Sequence, residues 1–270
     1  MKSQNTTTPS SPAALARWTL DRLKQEGDPA FQAGQQRFFQ HEVRTFGWRS
    51  PQLHRLAAEV YLALKKWPLE QRNDYAERMW NVPQLEGGGV AIYVYRRFTK
   101  QCGEPEFRLF ERWLDRYVNN WAHTDGLASW LMAACIGNEP RLMNELAGWT
   151  ESPNRWRRRA AAVSLLQEAK KGRSTEVIFD IATRLLPQRD DMVEKGIGWL
   201  LKETYPKKPK QTVAFLQEHG PVATRLTLRY AAEKMSARDR RRVLSKPATA
   251  AAVQERAQTP DRPSRPHRAD

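Results

Sequence analysis

The sequence predicts an all-α fold, an α-solenoid of antiparallel helix pairs, and three observations carry that prediction. Apolar residues recur at three- and four-residue spacing in segments of roughly 10 to 17 residues, the period of one helix face. Helix-breaking residues divide those segments at short intervals: Trp67-Pro68, Val82-Pro83, Cys102-Gly103, Gly137-Asn138, Ser152-Pro153, Gly172, Pro187, Pro206 and Gly220-Pro221. Alternation of period two, the mark of a half-buried strand, is weak everywhere except Val90–Tyr95 (VAIYVY). About a dozen short helices joined by short loops favour stacked pairs, each burying its neighbour, with no strict consensus repeat.

Taken in order, residues 1–11 (MKSQNTTTPSS) offer nothing to bury and read as a disordered tail. The helical domain is placed at 12–245. Leu15, Trp18, Leu20 and Leu23 make the first apolar face, closed by Gly27 and Pro29. A second run, Ala30 to Thr45, carries Phe31, Phe38 and Phe39. The turn Gly47-Trp48-Arg49-Ser50-Pro51 follows, with Ser50 expected as N-cap and Pro51 as first helical residue of a helix reaching Trp67. VAIYVY lies in a segment of helix length, which favours a buried helix, although Gly87-Gly88-Gly89 blurs its start. A helix opens at Arg155 and is expected to continue to Lys171. Another starts at Asp191 and holds Gly196 and Gly198 in its interior, where each costs about 1 kcal/mol relative to Ala. Glycine there predicts a close approach to the backbone, by another helix or by a ligand. From Lys246 to Asp270, Ala, Pro and Arg dominate, and the segment reads as a disordered, mildly basic tail.

Composition narrows the function. Lys and Arg number 45 against 30 Asp and Glu, a net charge of +15. That balance suits a polyanionic partner, nucleic acid first and an acidic membrane surface second. Two cysteines, Cys102 and Cys135, supply neither a disulfide framework nor a Cys/His zinc cluster, so no metal is expected. No apolar run reaches the roughly 18 residues a membrane span needs. The polar residues Met1 to Pro12 lack the apolar centre of a secretory signal. A soluble cytoplasmic protein, without membrane partner, is the expectation.

Three stretches stand out chemically. In Asn119-Asn120-Trp121-Ala122-His123-Thr124-Asp125, helical winding puts Trp121 and Asp125 one turn apart on one face. A carboxylate beside an indole can stabilise a cation by charge and by the ring face. The competing account is a core tryptophan beside an N-cap or surface aspartate. Next, Asn154-Arg155-Trp156-Arg157-Arg158-Arg159 places four arginines at a helix start, against the macrodipole. A bound anion would account for them, and so would a solvated face opposite a buried stripe of Trp156, Ala160 and Val163. Lys170, Lys171 and Arg173 lie at the far end of that segment, where the dipole favours cations. Last, Glu194-Lys195-Gly196-Ile197-Gly198-Trp199-Leu200-Leu201-Lys202-Glu203 carries a second placed tryptophan with Lys202 one turn on.

The order NNWAHTD, NRWRRRAA, EKGIGWLLKE resembles the AlkD-like DNA alkylation repair glycosylases, which are built of HEAT-like helical repeats with a concave basic surface. The likeness extends over about residues 13–245 and is most specific over 115–205. It implies Trp121 and Asp125 as the catalytic pair, Trp199 as a second aromatic wall, and Arg159 as a DNA contact. Arg158, Lys202, Lys170 and Lys171 are the further candidates for phosphates, and Arg49 stands in the turn that resembles the family's N-terminal Gly-x-x-Thr/Ser-Pro turn. The implied activity is hydrolysis of the N-glycosidic bond of cationic N3- or N7-alkylated purines in double-stranded DNA. The implied enzyme acts as a monomer without cofactor or metal, gripping the backbone rather than enclosing the base in a tight pocket. The alternative is a non-catalytic helical-repeat protein that binds damaged or branched DNA through its basic groove.

Overall fold

The computed structural model describes residues 9–245; both expected tails lie outside them except for residues 9–11, of which Ser11 caps the first helix. Among the described residues every regular element is helical. The α-helices are α1 (Pro12–Gln25), α2 (Pro29–Gln35), α3 (Ser50–Leu64), α4 (Leu69–Trp80), α5 (Leu85–Tyr95), α6 (Glu104–Arg116), α7 (Trp121–Gly126) and α8 (Ala133–Asn138). They continue with α9 (Glu145–Trp149), α10 (Arg155–Val163), α11 (Leu166–Lys171), α12 (Thr175–Leu185), α13 (Asp191–Thr204), α14 (Pro209–Glu218), α15 (Arg225–Ala231) and α16 (Ala237–Leu244).

These helices stack as a solenoid. One row runs α3, α5, α7, α10, α13, α15, each packed on the next. Helices of a second row pair with it: α4 on α5, α9 on α10, α12 on α13, while α6 lies on the segment between α7 and α8. The shared core contains fully buried Trp113, Tyr75, Phe107 and Phe110, whose large apolar areas are the main stabilising contribution.

VAIYVY is helical, as its segment length favours, and its glycines explain themselves by crowding. A Cβ on Gly87 would stand 2.5 Å from the Met79 carbonyl oxygen, and one on Gly88 2.7 Å from His123 Cε1. Helix α5 is hemmed in on several sides, so small residues let neighbours reach its backbone. Three local expectations are corrected. The run from Ala30 to Thr45 is helical only to Phe38, through α2 and one 3₁₀ turn, and then extended. Ser50 is the first residue of α3 rather than its cap; the Arg49 N–H donates instead to Gln52 Oε1 at 3.0 Å. The helix from Arg155 is broken at Ser164-Leu165 into α10 and α11, because the Ser164 and Leu165 N–H groups close on Ala160 and Ala162 and the chain tightens.

Candidate active site

Helix α7 begins where Asn120 accepts the His123 N–H at 2.9 Å, a side-chain cap that fixes the start of the Trp121–Asp125 turn. After Gly126 the winding widens into a π turn, Leu127–Met132, in which the Ala133 N–H reaches the Ala128 carbonyl before α8 resumes. Such a turn holds one residue more than an α turn and recurs at functional sites. Asp125 therefore stands just before a change in helical pitch.

The carboxylate of Asp125 is only 16% exposed, and it is not a cap. Arg159, from α10, grips it with both arms: Nε donates to Oδ1 at 2.8 Å and Nη2 to Oδ2 at 2.9 Å. The third arm, Nη1, donates to the Met192 carbonyl in α13. Burial raises the Asp125 pKa above its ordinary value, and the Arg159 hydrogen bonds and charge pull back without cancelling it. Gly196, one turn after Met192, lies against Arg159; a Cβ there would come within 3.3 Å of Arg159 Cγ. Trp199 follows three residues on, on the same side of α13, partly buried against the core. Arg159 is thus the tie between the aspartate of α7 and the helix that carries the second tryptophan.

Trp121 is half-buried. Its indole N–H donates to the Phe38 carbonyl at 3.1 Å, and Phe39 stacks on it with centroids 5.3 Å apart. Gln40, next along, donates to Asp191 Oδ2 at 2.7 Å. The extended segment after α2 is therefore a strap from the N-terminal helices over Trp121 to the start of α13. Beside it opens a cavity of about 580 Å³ whose lining includes Trp121, Trp80, Asn119, Asn120, His123 and Arg44. His123 is buried between Trp80 and Gly88, with Nε2 donating to the Leu85 carbonyl; burial pushes its pKa down to about 4, so the ring is neutral at pH 7.

Several residues expected to meet phosphate hold the protein together instead. Arg159 is 7% exposed at its side chain and occupied by Asp125, which corrects its assignment as a surface DNA contact: the buried carboxylate needs the guanidinium. Arg158 donates to the Ser152 and Pro153 carbonyls and lies 3.7 Å from Asp190, tying down the loop before α10. Arg155 pairs with Asp190 and Asp191, and Arg157 with Glu111 and Asp115. The arginine cluster is neither an empty anion site nor a solvated face; it is a row of links to neighbouring helices. Arg49 is exposed but pairs with Asp28 at 2.8 Å and covers the ring of Phe31. Lys202 pairs with Glu233 at 2.8 Å. Lys170 and Lys171 are exposed at the end of α11.

Two features had little signal in the sequence. Buried Glu86 accepts the N–H groups of Phe46, Gly47 and Trp48 at 2.9, 3.1 and 3.1 Å, and so suspends the turn from which the strap departs. Nothing in LEGGG marks that role. Acidic partners for Arg155 and Arg157 come from about 35 to 46 residues away, beyond any helical spacing. Among the described residues no group of three or more His, Cys, Asp or Glu side chains is placed to hold a metal ion. Among the described residues no helix is long and apolar enough to cross a membrane.

The family model for the DNA alkylation repair enzyme matches residues 19–235. A solved structure described as a predicted DNA alkylation repair enzyme from Enterococcus faecalis has the same fold, with a TM-score of 0.71 at 16% identity, covering 78% of this chain and 97% of that one. No curated protein matches the sequence. With the family match spanning most of the helical domain, the chain belongs to the DNA alkylation repair enzyme family.

Proposed function

We propose that this protein is a monofunctional DNA glycosylase that hydrolyses the N-glycosidic bond of cationic N3- or N7-alkylated purines in duplex DNA. The observation that carries the reading is the Asp125 carboxylate, fixed in both oxygens by Arg159 and joined through it to α13, in a chain whose family repairs alkylated DNA. A purine alkylated at N3 or N7 bears positive charge and departs as a neutral base, so protonation of the leaving group contributes little. The barrier lies in the positive charge that builds on the deoxyribose. A preorganised anion lowers that barrier because it needs no reorganisation when the charge appears. Asp125 is assigned that role, together with orientation of the attacking water, and Trp121 and Trp199 are assigned as ring faces beside the sugar. Arg159 is a positioning residue: it keeps a buried carboxylate charged and aimed. Lys170 and Lys171 are assigned to phosphates, and the protein acts as a monomer in the cytoplasm.

Two observations favour the non-catalytic alternative. The same guanidinium that positions Asp125 also neutralises it, and the strap covers part of Trp121. Duplex DNA carrying 7-methylguanine, incubated with the protein and assayed for free base, separates the two. The enzyme releases base, and Asp125→Asn abolishes release while retaining duplex binding; binding without release by the wild type selects the alternative. Asn is the milder substitution, since it keeps the side-chain volume and one acceptor for Arg159, whereas Ala removes both acceptors; losing one partner of a buried ion pair costs about 3–5 kcal/mol.

A further inference from the structure

A cationic recess lies apart from the arginines of α10. A cavity of about 240 Å³ between α3 and α5 is lined by His54, Tyr93, Arg96 and Arg97, with no acidic residue among them. Neither arginine enters an ion pair among the described residues, in contrast to Arg155, Arg157, Arg158 and Arg159, all of which do. Aromatic rings hold them in place instead. Arg96 lies 4.5 Å over the ring of Trp130 and Arg97 5.6 Å over that of Tyr61. Tyr93 stacks on Trp130 at 5.3 Å, and His54 meets the Tyr93 ring edge-on at 4.0 Å.

Stacking of this kind orients a guanidinium while leaving its N–H groups unused, which is how arginine is presented to a planar or tetrahedral oxyanion. The C-terminal end of α5 favours cations by its dipole, but that does not bring a histidine from another helix into the same recess. Burial first, and then the charges of Arg96 and Arg97, depress the His54 pKa; with two cations and no acidic residue in its lining, the recess suits an anion.

Its position gives the anion a source. Both α3 and α5 belong to the helix row that continues through α7 to α10 and α13, the row that carries Asp125 and Trp199. Trp130, the platform under Arg96, lies in the π turn five residues after Asp125. In an α-helix that separation would turn it about 140° away, and the contacts agree: Asp125 meets Arg159 of α10, whereas Trp130 packs on Tyr93 and Arg96 at the α5 side of the same helix row. With neighbouring helices about 8–10 Å apart, the recess lies roughly 10–20 Å from Asp125, a few nucleotides along a strand at about 3.4 Å each.

We propose that His54, Tyr93, Arg96 and Arg97 form a phosphate site that grips the DNA backbone a few nucleotides from the lesion. The proposal rests on the glycosylase reading only for what it calls the lesion; the site itself needs only duplex DNA.

The test measures binding of the full-length protein to duplex DNA over a range of salt, for wild type, R96A/R97A and R96K/R97K. Each phosphate neutralised contributes about 0.9 to the slope of log affinity against log salt. R96A/R97A is expected to lower that slope by one to two and R96K/R97K to keep most of it, with unchanged circular dichroism establishing that both are folded. An unchanged slope in folded R96A/R97A overturns the site. So does a His54 NMR titration that inorganic phosphate moves but duplex DNA does not. Base release from 7-methylguanine DNA is scored in parallel. A reduced slope without any wild-type release keeps the phosphate site and removes the glycosylase reading; release with an unchanged slope does the reverse.

Discussion

Asp125 sits between two opposed influences, a dry surrounding that favours its neutral form and a guanidinium that favours the anion. The first prevails in part, since the carboxyl stays above its ordinary value even with Arg159 in place. The consequences have a definite sign. The folded chain holds this proton more tightly than the unfolded chain, so the group's contribution to stability declines as pH rises from the unfolded pKa through the folded one. In the proposed reaction Asp125 acts as the anion, so the acid limb of the single-turnover rate should lie above the pH at which an ordinary aspartate titrates. Arg159→Gln removes the influence that lowers the pKa and leaves burial, so the limb should move to higher pH; a limb that stays or moves down would separate Arg159 from the reaction. The Trp121–Asp125 spacing was readable as a face of one helix turn. The bond between Asp125 and Arg159 was not, because 34 residues separate partners that only the stacking of α7 on α10 brings together. Arginine at a helix start reads as an anion site from one dimension and as a cross-link in three.

Helix α13 illustrates how far an element can be read from its own residues. Two interior glycines predicted a close neighbour, and the neighbours are helices on both sides: Arg159 of α10 against Gly196, and Tyr230 and Thr227 of α15 against Gly198. The two sites are unequal. A Cβ on Gly198 would lie 2.4 Å from Tyr230 Cβ and 3.0 Å from the Thr227 carbonyl oxygen, so α15 must move away. Gly198→Ala should cost about 1–3 kcal/mol by overpacking. Gly196→Ala meets Arg159 Cγ at 3.3 Å, a far milder approach than the 2.4 Å at Gly198, and should cost less; denaturant unfolding of the two variants side by side checks the order. The π turn is the opposite case. LASWLM is apolar apart from Ser129, whose hydroxyl donates to the Asp125 carbonyl at 2.6 Å, and the segment packs against α6 and α10; nothing in that string announces a switch from α to π geometry. Likewise, α10 and α11 read as one helix because Ser164 is a tolerable helix residue.

At the scale of the whole molecule, net charge and local role have to be kept apart. A charge of +15 predicts attraction to a polyanion, but it does not say which cations are available. Arg157 is held by Glu111 and Asp115, whereas Lys170 and Lys171 are exposed. Substituting Arg157 by Ala should lower the melting temperature and leave the salt dependence of DNA affinity unchanged. The double change Lys170→Ala/Lys171→Ala should do the reverse, softening that dependence by about one to two in slope; thermal melts and salt titrations on both variants decide it. The repeat architecture was legible because its period is local, one break and one apolar face at a time. The strap was not, since extended residues with no periodicity leave no trace of where they go. That strap has a thermodynamic meaning. Stacked repeats interact with nearest neighbours and fray inward from their ends, yet Phe38, Phe39 and Gln40 fasten the first helices to Trp121 and Asp191 far along the chain. Melting of the N-terminal end therefore uncovers the Trp121 indole, so the terminal repeat is at once a boundary of the fold and the latch of the candidate site.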